Sequence, residues 1–348
     1  MRLIIIPIFF ISVLLFFSVY ISPENWDYSG LLSLLIPIFV LLNLFLVVLL
    51  LFGRIKLIFF PILALIIGWK FFVVTFQWNL PDTDTAGFSV LSYNVMLFNN
   101  TWGPNKEELI LNSIQWVKEN PADIKCFQEF YQDYTTPSRN AIKIIGNDGE
   151  YENAFLAVDG NPRKKSYGMA IFSRFPIINS GKVFDNKKNN GAMFADIIIQ
   201  KDTIRIYNAH LESMNISASE LDNLEGIRNQ YRATIRKLKQ GIQMRAAQTK
   251  ILSEHIQNSP HPVILAGDFN DLPYSYTYFS LRKILENAFE KMGRGFGFTY
   301  NKVLFFLRID NIFFTDALNI LQFNTHREVD YSDHYPISAV FAFPEADR

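Results

Sequence analysis

PVILAGDFND, residues 262–271, carries four apolar residues, Val263 to Ala266, into a glycine and then delivers Asp268 and Asn270. A run this short, ended by Gly267, reads as a buried strand. Two later segments repeat the pattern. RIDNIFF, residues 308–314, holds one acid, Asp310, in the apolar run Ile309 to Phe314. YSDHYPI, residues 331–337, sets Asp333 beside His334 just before a last apolar strand. Acids and a histidine at strand ends suggest one site at the rim of a sheet, able to bind a hard cation and move a proton. Each string is weak alone, and the ordered set is strong.

Strand-like runs recur at 88–95, 123–129, 168–173, 194–200, 203–210, 262–268, 309–314 and 337–343. Helical patterns lie between some of them. Asn105 can cap a helix, with Glu108 three residues on, Ile110, Ile114 and Val117 as its buried face, and Asn120-Pro121 as its end. A longer helical stretch covers roughly 219–257, broken at Gly241, with Met244, Ala247, Gln248, Ile251 and Leu252 on its second face. Another runs from about Ser275 to Ala288. Strands with interspersed helices imply an α/β sandwich, not a bundle or an all-β barrel. The earlier strands also end on polar residues: Asn94, then Gln128-Glu129, then Asn208 and His210 before Glu212. The carboxyl ends of strands are where α/β proteins place ligands.

In chain order the motifs SYNV, QE, YGMAIFSRFPI, NAHLES, GDFN, RIDNIF and SDHYPI resemble those of the endonuclease/exonuclease/phosphatase superfamily, over about residues 88–343. That superfamily includes pancreatic-type deoxyribonuclease, apurinic endonucleases, neutral sphingomyelinases and inositol-polyphosphate 5-phosphatases. The resemblance implies a four-layer α/β sandwich of two packed mixed sheets, and hydrolysis of phosphate esters that depends on Mg²⁺ or Mn²⁺. Glu129 resembles the main metal ligand, and a carboxylate suits such an ion. Asn94 resembles its neighbouring ligand or the amide that orients it. Asp333 resembles a second ligand or the partner of a ligand water.

Asp268 resembles the acid that orients or deprotonates the attacking water, and Asn270 a donor to a non-bridging phosphoryl oxygen. His334 and Asp310 resemble the family's His–Asp pair, in which the carboxylate holds the tautomer and stabilises the charged ring. Either His334 or Asp268 is the base, and a protonated His334 would instead bind phosphate. His210 resembles the second histidine, which bonds phosphate or assists the leaving oxygen. Gly168 and Ser173 read as strand and turn structure, and Arg245 and Gln248 as packing. Tyr300, after Gly295 and Gly297, lies on a loop able to wall the pocket. His255, His261 and His326 match nothing and read as surface.

The chain has 348 residues, 49% of them hydrophobic, with 33 Phe, which excludes disorder and suits two domains or one large one. The single cysteine, Cys126, can form neither an intrachain disulfide nor a thiolate metal cluster. The apolar excess is concentrated in residues 3–21, 31–52 and 57–76, each close to the ~20 needed to cross a bilayer as a helix. Three transmembrane helices are therefore expected. Residues 1–21 read alternatively as an uncleaved signal anchor. Lys70 in the third span either snorkels to the outer interface or shortens the span.

Glu24 and Asp27 lie in the 22–30 loop, while Arg2, Arg54 and Lys56 mark the other side. Positive-inside then puts residues after about 77 on the extracytoplasmic side of an inner or plasma membrane. The expected organisation is an anchor over 1–76, a linker over 77–87 containing PDTDTAG, and a catalytic domain over 88–343. With the anchor's charges removed, the remaining chain is slightly acidic, which argues against a generic polyanion binder. Arg163-Lys164-Lys165 and Lys187-Lys188 read as solvated loop charges able to meet a phosphate. With only Lys70 ionisable, the spans are poor material for a transport pathway.

The expected function is a membrane-anchored, metal-dependent phosphodiesterase, endonuclease-like by default. Its alternatives are a phospholipid or sphingomyelin phosphodiesterase and an inositol-phosphate phosphatase. A non-catalytic binding module on a membrane stalk is a further alternative, and it predicts a damaged site. The expected partners are a nucleic acid or a lipid headgroup as substrate, and the bilayer through the N-terminal helices. No protein partner is inferred.

Overall fold

The computed structural model describes residues 1–53, 55–79, 87–99, 107–186, 190–213, 224–302 and 306–344. Asn105, Arg54, Lys187-Lys188 and most of the 81–87 linker lie outside the described residues. The strands are β1 (Gln77–Trp78), β2 (Phe88–Asn94), β3 (Ile124–Asp133), β4 (Glu152–Gly160), β5 (Lys165–Ser173), β6 (Ile177–Asp185) and β7 (Gly191–Ile199). They continue as β8 (Asp202–His210), β9 (Val263–Asp268), β10 (Glu286–Asn287), β11 (Arg294–Gly295), β12 (Asp310–Phe314), β13 (Asn319–Thr325) and β14 (Ile337–Ala342). All eight strand-like runs of the sequence become strands. The chain divides into two compact units.

The larger unit comprises residues 77–213, 250–270 and 281–348 and holds two six-stranded mixed sheets. One runs β13-β14-β2-β3-β5-β4 and the other β10-β12-β9-β8-β7-β6. Within each, one parallel pair, β2 with β3 and β8 with β9, is flanked by antiparallel neighbours. Period-2 alternation divides the apolar residues between two cores. Val90, Ile124, Cys126 and Ile171 belong to the core that also takes in Ile204, Ile206, Ile264 and Ile312 of the other sheet. Leu91, Phe127 and Phe172 turn to the opposite face and pack with Ile110, Ile114 and Val117 of the helix Glu107–Glu119 and with Ala141 and Ile145. On the second sheet's outer face, the Tyr207 hydroxyl lies 2.8 Å from His255 Nδ1. The order is thus helix, sheet, sheet, helix.

His255 is accordingly half-buried between Tyr207 and Phe194, not on the surface. The long helix runs unbroken as Leu224–Gln257, through Gly241. Its buried stripe is Ile242, Arg245, Ala246, Thr249, Leu252 and Ile256, whereas Met244 and Ile251 are exposed. The expected helix over 275–288 stops at Leu281. Glu286 and Asn287 pair with β12, and the Asn287 side chain then caps a new helix, Ala288–Met292.

The smaller unit comprises residues 1–76, 214–249 and 271–280, so it takes in two stretches of the span 88–343. Asp27 binds Lys239 at 2.9 Å and Gln243 at 2.8 Å, and Gly30 packs on Ile242. Phe279 meets Tyr20 and Phe71 edge-on. Asn43 and Ser12 share a buried hydrogen bond of 2.7 Å between apolar helices. Among the described residues one helix, Ser29–Leu51, is long and apolar enough to cross a membrane, and Arg2–Ser18 is a shorter apolar helix. The third expected span is interrupted at Gly68 into Phe59–Ile67 and Trp69–Thr75. By length and composition the expected count of three is thus reduced to one. Lys70 donates to the Tyr20 hydroxyl and lies 4.0 Å over its ring.

Lys125 is fully buried on β3, yet its ammonium caps the helix Glu107–Glu119 by donating to Val117 O at 2.9 Å and Lys118 O at 3.3 Å. Burial, reinforced by Arg174 and opposed by Glu150, pulls this group down to about 8. An unfolded-chain lysine sits near ~10.4. Between those values the unfolded chain binds the extra proton, so this group makes stability rise with pH over that window. Urea unfolding of the full chain at several pH values from 7.5 to 10 is expected to show a rise of up to ~3 kcal/mol from this source, absent in Lys125→Met.

Candidate active site

The two parallel pairs end side by side, and their carboxyl ends supply most of the site. β8 and β9 run in register to the pair His210–Asp268, and β12 begins opposite with Asp310 against Asp268. Three sequence-distant residues thereby stand in one row. The close β8–β9 approach requires Gly267, because a Cβ there would lie 1.9 Å from Ala209 O. From the other sheet, Asn94 ends β2 where its ladder with β3 closes at Gln128. The pairing of β3 with β5 then jumps between Phe127 and Phe130, and Glu129 sits on this bulge at φ 49°. A bulge re-aims a side chain, and left-handed backbone at a non-glycine residue stores roughly 1–3 kcal/mol of strain.

The side chains meet. Asn94 Nδ2 donates to Asp268 Oδ2 at 3.0 Å and to Glu129 Oε1 at 3.4 Å. Its Oδ1 accepts the Met96 N–H at 3.0 Å, which fixes the amide with its Nδ2 toward the carboxylates. His210 Nε2 lies 3.6 Å from Asp268 Oδ2 and 3.8 Å from Glu129 Oε1. His334 Nε2 lies 3.6 Å from the same Asp268 oxygen, and its Nδ1 bonds Asp310 Oδ2 at 2.8 Å. Asp268, only 1% exposed, is therefore flanked by two imidazoles and an amide.

Burial disfavours charge on the His334 ring, but Asp310 and Asp268 outweigh it and hold its proton affinity well above that of a free histidine. Burial, opposed by the charge of His334 and reinforced by that of Asp268, pushes the Asp310 carboxyl up. Asn270, at φ 49°, donates its N–H to Asp268 Oδ1 at 2.8 Å. Its side-chain Nδ2 donates to Leu211 O at 2.9 Å, which leaves the second amide hydrogen for a phosphoryl oxygen. Asp333 is half-buried, accepts from Ser332 Oγ at 3.3 Å and reaches the cluster through its charge on His334.

Further residues support the site, Ser332, Gln128 and Asn208 from inside the quoted motifs and Thr299 from outside them. Ser332 Oγ donates to Asn94 O at 2.7 Å and accepts the His334 N–H at 3.2 Å, tying the end of β2 to the segment that enters β14 in the same sheet. Thr299 Oγ1 accepts the N–H groups of Ile309 and Asp310. Asn208 and Gln128 are fully buried, with Gln128 Nε2 donating to Asn208 Oδ1 at 2.7 Å and Asn208 Nδ2 to Phe127 O at 2.8 Å. The sequence marks both as polar residues at strand ends, within QE and NAHLES, but does not reveal that they bond to each other. Tyr300 walls the site as expected, its ring edge-on to His334 at 5.4 Å between centroids.

The donor set fits a hard divalent cation. Glu129 keeps a quarter of its side chain exposed beside Asp268 and His210, and one ligand atom each of Asp268, Asp310 and His334 lies within 4.8 Å of the others. Carboxylates of this kind suit Mg²⁺ or Mn²⁺.

The family described as the Endonuclease/Exonuclease/phosphatase family matches residues 91–334, and a domain of unknown function matches residues 1–75. No curated protein matches. Among solved structures, the human Nocturnin catalytic domain with bound sulfate is similar at 20% identity and a TM-score of 0.53, covering 76% of this chain and 96% of that one. An endonuclease/exonuclease/phosphatase family protein from Leptotrichia buccalis is similar at 17% identity and a TM-score of 0.53, covering 74% and 100%. D. rerio TDP2 with a single-strand DNA product has 16% identity and a TM-score of 0.52, covering 74% and 99%. At these identities the likeness shows the fold.

Asp310→Asn keeps the shape of the His334 partner and removes its charge. A phosphodiester hydrolysis assay is expected to lose about 10²–10⁴ in rate, with the circular dichroism spectrum unchanged.

Proposed function

The chain belongs to the endonuclease/exonuclease/phosphatase family, and we propose that it is a membrane-anchored phosphodiesterase dependent on a divalent metal. The observation that supports this reading is the convergence of Asn94, Glu129, His210, Asp268, Asp310 and His334, drawn from two sheets, on one buried cluster. Glu129 would hold Mg²⁺ or Mn²⁺, with Asp333 as second ligand or partner of a ligand water. When bound, the ion supplies charge neutralisation at the phosphate and the departing oxygen.

The chain's own groups do the remainder. Asp268 orients a water in line with the scissile bond and takes its proton as the new P–O bond forms. His334, charged against Asp310, and the second amide hydrogen of Asn270 bind the oxygens on which negative charge builds. His210 delivers a proton to the leaving ester oxygen as the old P–O bond breaks. No covalent enzyme intermediate is needed.

A nucleic-acid phosphodiester is the default substrate. The apolar N-terminal unit favours a second reading, a lipid headgroup. Tyr20, Tyr28, Asp27 and Lys70 share contacts with 239–243 and with Phe279 in the smaller unit. The one helix long and apolar enough to cross a bilayer, Ser29–Leu51, supports the anchor.

The test uses the full chain in detergent with bis(p-nitrophenyl) phosphate. Turnover is expected with Mg²⁺ or Mn²⁺ and none with EDTA. Glu129→Ala is expected to abolish the metal-dependent turnover, and His334→Ala and His210→Ala to cost about 10²–10⁴ in rate each. Retained turnover in EDTA would overturn the metal reading.

A further inference from the structure

The chain leaves its last apolar helix at Thr75, and three residues later it is fastened to the larger unit. Gln77 and Trp78 of β1 pair with Gly295 and Arg294 of β11. Asn79 Nδ2 donates to Gly293 O at 3.0 Å, at the end of the helix Ala288–Met292. This anchoring presents Trp78 to solvent with 83% of its surface exposed. An isolated exposed aromatic needs no explanation. Trp78 is not isolated, because its β partner leads directly into Phe296, 47% exposed and stacked on Phe298 at 5.2 Å, and the returning limb of the same loop carries Phe306, 49% exposed. Arg294 and Lys302 are exposed on the same loop.

The loop is also the wall of the site. Thr299 and Tyr300 both donate backbone N–H groups to Leu307 O, which closes the two limbs on each other. Thr299 holds the start of β12 at Asp310, and Tyr300 covers His334. The aromatic and cationic rim is therefore continuous with the residues that flank the chemistry.

We infer that Trp78, Phe296 and Phe306, with Arg294 and Lys302, form a surface of the larger unit that rests in the headgroup layer of an anionic bilayer and presents the site to phosphodiesters there. The inference rests on the reading of residues 1–76 as membrane-embedded. Chain continuity supports this occupant, since Trp78 is held three residues beyond an apolar helix end. Indole and phenyl rings accompanied by Arg and Lys are the side chains that favour the bilayer interface. Each cation near an anionic surface contributes about a fivefold preference.

The experiment uses the full chain in vesicles of phosphatidylcholine with phosphatidylglycerol. Single cysteines are introduced by Trp78→Cys, Phe296→Cys and Lys302→Cys and labelled with an environment-sensitive fluorophore. The native Cys126 is fully buried and stays silent. Leu41→Cys, on an exposed face of the helix Ile36–Leu51, reports membrane embedding, and Ile178→Cys, exposed on β6, reports water. Labels at 78, 296 and 302 are expected to be quenched by lipids carrying a nitroxide at the headgroup and shielded from aqueous iodide. The label at 41 is expected to be quenched by a nitroxide deep in the acyl chains, and that at 178 by iodide alone.

If 41 is lipid-quenched while 78, 296 and 302 behave like 178, the surface is overturned and the membrane reading stands. If 41 is not lipid-quenched, the membrane reading fails and the surface falls with it. If a single-stranded oligonucleotide, and not lipid, shields 78 and 296, the rim stacks bases and the lipid inference is overturned. Hydrolysis of bis(p-nitrophenyl) phosphate by each labelled protein, expected within about twofold of the unlabelled chain, checks that the variants are folded.

Discussion

A carboxylate without water must be compensated where it stands, and Asp268 imposes that condition on the catalytic unit. Burying an uncompensated charge costs several kcal/mol. Asp268 avoids that cost through the Asn270 N–H, the Asn94 amide and two imidazoles. These partners come from β9's own turn, from the opposite sheet, from β8 and from the segment before β14. Satisfying one side chain therefore requires both sheets to be formed, aligned and in register. A slip of one residue in β8 or β12 would turn His210 or Asp310 to the other face.

The same condition explains the buried polar groups that have no chemical task. Gln128 and Asn208 hydrogen-bond across the gap between sheets at a depth where apolar packing alone would allow sliding. Ser332 applies directional bonds within one sheet, joining the β2 carbonyl to the His334 backbone ahead of β14. Directional bonds fix a position that dispersion contacts leave soft. Glu129 is held in its left-handed bulge by this frame, and the bulge is what turns its carboxylate toward Asn94 and His210.

The parts of this architecture that sequence reveals are those with two covered faces. β9 is buried throughout, so VILAGD reads as an unbroken apolar run. The edge strands β4, β6 and β13 expose much of their length, and their residues alternate too weakly to stand out from loops. Gly241 was expected to break the long helix, yet the ~1 kcal/mol penalty of a helical glycine is small beside the burial of Ile242 and Arg245 next to it. Acids and histidines at strand ends were legible because their residue types are costly to bury without purpose. The structural roles of Ser332, Thr299 and Asn208 were not, although two of them stand in the motifs, because Ser, Thr and Asn occur at strand ends for many local reasons. The bond from the Met96 N–H to the Asn94 side-chain oxygen depends on a local turn that no spacing encodes.

The smaller unit is assembled from three separated stretches, 1–76, 214–249 and 271–280. A ribosome makes the first of these and then spends roughly 200 residues on other structure before the last emerges. At ~5–20 residues per second that interval is about 10–40 s. Throughout it, Tyr20 and Phe71 wait without Phe279, while Asp27 and Gly30 wait for Lys239 and Ile242 until the middle stretch is made. The N-terminal helices of this chain are thus made first and finished last, and their flank lacks Phe279 until the end of that interval.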